Sequence, residues 1–195
     1  MSHAKHPLII AHKVKDERLK WLQMAANNAK NALLTHLASK QNMAARFVSL
    51  QQLLGCEAAP QRLECFDISH TQGEQTVAAC VVFDSEGAVK SAYRRFNITG
   101  ITGGDDCAAI HQAVFRRFKR LQQGEHEAPD IVFIDGSTIQ VRAAQKALAE
   151  LAINNVMIVG VAKGEQRKSG REKLIIGSQN QPIEITMSAG NVVPR

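Results

Sequence analysis

Three aspartates hold positions from which they can act together. Asp67 interrupts the apolar run Leu63-Glu64-Cys65-Phe66-Asp67-Ile68. Asp135 closes the run Ile131-Val132-Phe133-Ile134 and is followed by Gly136. Asp106 opens a helical pattern after the glycine-containing loop 99–104. An ionised carboxylate inside a buried strand is costly to desolvate unless it is paired or bound to a metal. Asp67 is therefore read as a buried charge in need of a partner. Carboxylates within about 4–6 Å of one another repel, and one keeps a proton unless a cation intervenes. A hard divalent ion, Mg²⁺ or Mn²⁺, resolves that conflict through oxygen ligands. It can also activate water and stabilise charge on a phosphodiester. The pattern predicts a metal site with Asp67 and Asp135 as ligands and Asp106 as third ligand or base. The plainer readings are an edge position for Asp67, a helix N-cap for Asp106 and a strand-ending turn for Asp135-Gly136.

A second signal is cationic. Arg94-Arg95 sit between Tyr93 and Phe96, and Lys163, Arg167 and Lys168 lie in a basic loop after the last apolar strand. Both groups suit phosphate contacts. In a strand the two arginines face opposite sides, so only one can join a given surface. His70 and His111 are candidate ligands or proton carriers, set against the commoner reading of satisfied or exposed histidines. The net charge is +6, and residues 1–55 carry eight Lys/Arg against two acids, while the remaining residues carry sixteen of each. A basic arm beside a neutral, acid-bearing region fits a polyanionic partner.

The elements that must position these groups follow from periodicity. Leu19, Leu22, Ala26, Ala29, Leu33 and Leu37 recur at helical spacing over 15–38, and Trp21 within that stretch is expected to be core. A second helix is expected over 42–54, ended by Gly55. Strands are expected at 62–68, 76–83 and 88–97, the last two joined by a hairpin turn at 84–87. Two α–β units follow, with helices from 106 to about 121 and over 138–151 and strands at 131–135 and 156–161. A final hairpin pairs 174–177 with 183–187. The order is three antiparallel meander strands, then parallel strands with crossover helices, giving a mixed sheet with flanking helices.

With 195 residues and 45% hydrophobic content, the chain suits one domain with an extension. No apolar run is long enough to span a membrane, and the first thirteen residues are too polar for a signal peptide. Cys56, Cys65, Cys80 and Cys107 lack CxxC spacing and read as buried thiols of a reducing cytoplasm.

These residues resemble a known family. Glu64-Cys65-Phe66-Asp67-Ile68-Ser69-His70-Thr71-Gln72-Gly73, Tyr93-Arg94-Arg95-Phe96-Asn97-Ile98, Gly104-Asp105-Asp106, Ile134-Asp135-Gly136, Gly160-Val161-Ala162-Lys163-Gly164 and Arg167-Lys168 are similar, in order and spacing, to the RNase H-like endonuclease domain of the UvrC family. The resemblance covers about residues 60–176. It implies an RNase H-like α/β domain over 59–195, truncated at its C-terminal end, behind a basic helical extension over 1–58. It also implies metal-dependent hydrolysis of damaged double-stranded DNA at the 5′ side of a lesion, together with UvrB. The implied catalytic acids are Asp67, Asp106 and Asp135. The family's catalytic set usually includes a His beyond Arg195. Where the family commonly reads Asp-Gly-Gly-Lys-Gly-Gln, this chain has Asp135-Gly136-Ser137-Thr138-Ile139-Gln140, and Cys107 replaces a common Tyr. The rival readings are a catalytically incomplete DNA- or protein-docking module and a different RNase H-like enzyme.

Overall fold

The computed structural model describes residues 15–70, 76–124, 127–162, 173–177 and 183–186, the last four as backbone. Its first element is α1 (Asp16–Leu54), a single helix of 39 residues. Two helices were expected here. The stretch between them, Ser39-Lys40-Gln41, contains neither Gly nor Pro, so nothing stops the helix until Gly55, which takes a φ of 67°. The chain divides into two compact units, residues 1–39 and 40–195, and the boundary falls within this helix.

In the first unit the described residues are one stretch of helix. Leu19, Leu22, Leu33 and Leu37 are exposed, and Trp21 is 62% accessible. The expectation of a core Trp is therefore corrected: the described part of that unit has no second element on which an apolar stripe can pack.

In the second unit the strands are β1 (Arg62–His70), β2 (Thr76–Asp84), β3 (Gly87–Ala88), β4 (Arg94–Ile98), β5 (Ile131–Asp135), β6 (Met157–Ala162), β7 (Lys173–Ile176) and β8 (Ile183–Thr186). Two further helices are α2 (Asp106–Gln122) and α3 (Thr138–Glu150). They form one mixed sheet in the order β3-β2-β1-β5-β6-β7-β8, with β4 also paired to β2. β1, β5 and β6 run parallel, and the other pairings are antiparallel. The expected third strand is split into β3 and β4 by a 3₁₀ turn at Lys90–Ala92. No described helix is long and apolar enough to cross a membrane.

Both faces of the sheet are covered. On one, Phe66, Val82, Phe96, Ile134 and Ile158 meet Ile110, Val114 and Phe118 of α2 and Val141, Ala144 and Leu148 of α3. On the other, Leu63, Ile131, Phe133, Val159 and Leu174 meet Phe47, Leu50 and Leu54 from the end of α1. Burying each of these large side chains stabilises the fold by about 1.5–3 kcal/mol.

Candidate active site

The strand register decides where the acids point. β1 pairs with β5 in parallel, Cys65 opposite Phe133 and Phe66 opposite Ile134. The next step along both strands brings Asp67 beside Asp135. Residues side by side in adjacent strands project from the same face, and side chains alternate along each strand. Cys65 and Val161, which flank the pair on that face, pack with the α1 cluster, whereas Phe66 and Ile68 pack with the α2 and α3 cluster. Asp67 and Asp135 thus emerge together on the face α1 covers and are exposed, Asp67 just past the parallel pairing of β1 with β5 and Asp135 at the last residue of β5. Sites in open α/β sheets form at such ends.

The premise that Asp67 is buried is corrected. Asp67 is exposed and accepts a hydrogen bond from Ser69 Oγ at 3.3 Å. The buried carboxylate of β1 is Glu64, which has no accessible surface. Arg117 of α2, 1% accessible, answers it with a two-pronged contact. Its Nε donates to Glu64 Oε2 at 3.0 Å and its NH2 to Oε1 at 2.6 Å. Cys80 Sγ also donates to Glu64 Oε2, at 3.4 Å. This pair was missed from sequence because Arg117 lies in the run Arg116-Arg117-Phe118-Lys119-Arg120, which looks like a solvated helix face.

Asp106 stands differently from the other two acids. Asp105, not Asp106, caps α2, its Oδ1 accepting from the Ala108 backbone N–H at 2.9 Å. Asp106, the first helical residue, is left to meet His70, with Oδ1 2.7 Å from Nε2. His70 lies on the α2 face of β1, so Asp106 and the Asp67–Asp135 pair approach the strand end from opposite sides. Among the described residues, no three His, Cys, Asp or Glu side chains are grouped to hold one metal ion.

Gly136 has a local reason. The Gln140 side chain folds back over it to accept from the Ser137 backbone N–H at 2.6 Å, and a Cβ at position 136 would collide with that side chain. The turn holds Asp135 at the junction of β5 and α3.

The electrostatics agree with the register. The Cys65 thiol is pushed up to about 11, first by burial and then by the negative charges of Asp135 and Asp67. Both carboxylates therefore act on one point, and two exposed oxygen ligands on adjacent strands are a donor set that suits a hard divalent cation.

Of the cations, Arg95 shares this face. It lies opposite Ala79 on β2, and Ala79 lies opposite Asp67 on β1, so Arg95, Ala79 and Asp67 form a row across the sheet, which Asp135, one step past the Phe66–Ile134 pair, extends onto β5. Arg95 is exposed. Arg94 points to the other face, half-buried, and its NH1 donates to the Ser91 and Tyr93 carbonyls at 3.0 and 2.8 Å. Lys163, Arg167 and Lys168 lie outside the described residues. His111 is remote from the acids, in a cleft of about 520 Å³ between α2 and α3, with Nε2 3.2 Å from Glu150 Oε1.

Residues 51–192 match the family described as the UvrC RNAse H endonuclease domain. The chain belongs to that family. Its relatives include the UvrABC system protein C of Methylococcus capsulatus, 54% identical over 182 residues, which span 93% of this chain and 30% of the relative. The protein of the same name from Pseudomonas putida is 51% identical over 169 residues, covering 87% of this chain and 28% of the relative. The chain thus spans less than a third of the length of these relatives. Among solved structures, human ENDOV is similar at 14% identity with a TM-score of 0.41, covering 83% of this chain and 87% of that one.

Proposed function

We propose that this chain is the metal-dependent endonuclease region that makes the 5′ incision beside a lesion in nucleotide excision repair. One observation carries the reading: two exposed aspartates lie one step past the Phe66–Ile134 pair of adjacent parallel strands, and an exposed arginine lies on the same face. The family supports the reaction class. The substrate would be damaged double-stranded DNA, met as a complex with UvrB, as the name shared by the relatives suggests.

Asp67 and Asp135 would hold a Mg²⁺ or Mn²⁺ ion. When bound, such an ion supplies charge neutralisation at the phosphodiester and a more acidic water. Arg95 would contact a neighbouring phosphate from the same face, while Arg94, already engaged with backbone carbonyls, would contribute little. Lys163, Arg167 and Lys168 are proposed as further phosphate contacts. Asp106 was expected as third ligand or base, and its Oδ1 meets His70 Nε2 instead of the acid pair.

The test is an Asp67→Asn substitution in a full-length relative, read by incision of a lesion-bearing duplex. Loss of the 5′ cut with retention of the 3′ cut is expected. A surviving 5′ cut would sink the reading. The docking-module alternative is favoured by one observation, the lack of a three-ligand group among the described residues. Mn²⁺ titration separates the two, since a docking module has no ion site that Asp67→Asn removes.

A further inference from the structure

We propose that Asp106 serves the acid pair through His70 rather than as a third oxygen ligand. The two side chains form a clamp that fixes the end of β1, and with it the carboxylate of Asp67 beside Asp135. The inference rests on the cation reading above.

It begins with side-chain parity. On β1, Asp67 and Ser69 leave one face of the sheet, and Ile68 and His70 leave the other. Asp106 opens α2, whose buried side chains pack on the face of His70. A carboxylate on that side reaches His70 directly, and its Oδ1 does so at 2.7 Å. The other ring nitrogen, Nδ1, is 3.2 Å from Thr76 Oγ1. One neutral tautomer satisfies both contacts. Nε2–H donates to Asp106, and Nδ1 accepts the threonine hydroxyl.

A ring held at both nitrogens has none left for substrate, so His70 is not placed to shuttle a proton. It is placed to hold three elements at one point. Thr76 is buried, belongs to β2, and pairs with His70 on the last rung of the β1–β2 ladder. Asp106 brings in α2. The strand end that this clamp secures is the one that carries Asp67, three residues from His70. Asp105 takes the capping role, which leaves Asp106 available for this contact.

Contacts that orient ligating groups, without touching the ion, typically account for about 10–100-fold in metal affinity. That figure separates a clamp from a ligand. Mn²⁺ binding to the 195-residue chain, measured by the electron paramagnetic resonance of free Mn²⁺, should be abolished by Asp67→Asn. Asp106→Asn and His70→Ala should each weaken it about tenfold, and the double variant should be no weaker than either single one. His70→Gln, whose amide N–H can replace Nε2–H, should recover most of the loss. Amide exchange at Ser69 and His70, or at Ser69 alone where position 70 is changed, should rise by the same factor in both singles. An Asp106→Asn loss as complete as that of Asp67→Asn, or losses that multiply in the double variant, would overturn the clamp. A wild-type chain that binds no Mn²⁺ would defeat the cation reading, and amide exchange would still decide the clamp: unchanged rates in both variants refute it.

Discussion

Glu64 and Asp67 lie three residues apart on one strand and live in opposite worlds. Glu64 points into the core beneath α2, has no solvent contact, and is held by Arg117. Asp67 points to the other face and is exposed to solvent. A carboxylate can be kept charged by either route, pairing in the dry interior or contact with water. Only the second leaves oxygens free to take a ligand. The buried acid therefore belongs to the fold, and the exposed one is available for chemistry.

The contrast can be broken at either end. Glu64→Ala leaves the Arg117 guanidinium buried without its carboxylate and should lower stability by about 3–5 kcal/mol in urea unfolding. Replacing Glu64 and Arg117 together with Arg62, whose Nη2 lies 3.6 Å from Glu64 Oε1, by apolar residues of similar volume should recover most of that loss. Asp67→Asn should leave the unfolding midpoint nearly unchanged while removing Mn²⁺ binding. If Asp67→Asn destabilised as Glu64→Ala does, the division between the two acids would fail. The two halves of α1 extend the comparison. Phe47→Ala removes a buried ring and should cost about 3–5 kcal/mol, whereas Trp21→Ala should stay within about 0.5 kcal/mol.

A smaller effect comes from the thiol beside Glu64. Burial, then the charge and hydrogen bond of Glu64, raise Cys80 well above its ordinary value of 9.0. The native chain keeps that proton after the unfolded chain has released its own. The resulting stabilisation is complete below about pH 9 and is lost as pH climbs toward the native value. The slope is about 1.4 kcal/mol per pH unit. Thermal melts at rising alkaline pH should show a shallower decline for Cys80→Ala than for the parent. The smallest effect concerns DNA. Arg95→Ala should reduce the salt dependence of binding, log affinity against log salt, by about one unit of slope. Arg94→Ala should leave that slope unaltered.

Much of this arrangement is legible in the residues. The apolar runs locate β1, β5 and β6, and the position of Asp135 at the end of its run places it at a strand terminus. The adjacency of β1 and β5 does not follow from the pattern, because no hairpin or single crossover joins them, and it appears only in the sheet order. What the sequence hides is phase. Because both faces of the sheet are covered, Leu63 to Ile68 reads as one apolar run, with no alternation to show that Glu64 faces inward and Asp67 emerges. Arg117 is hidden for a related reason, since a cation among cations carries no mark of burial. The continuity of α1 was available, as no residue between Ala38 and Asn42 can end a helix. The His70–Asp106 contact joins residues 36 positions apart and depends on where α2 starts against β1.

The row from Arg95 through Ala79 to Asp67 and Asp135 runs across the strands, spanning about 10 Å from the arginine to the nearer acid at ordinary strand spacing. A nucleic-acid backbone following that row would cross the sheet at a steep angle and meet only charges and a methyl group. None of the row's side chains is an amide, the group suited to two-pronged recognition of adenine, and its one guanidinium would be committed to phosphate. Under the function proposed above, these four side chains would meet the backbone and leave the bases unread. The position of an incision made there would then be set by contacts outside this row.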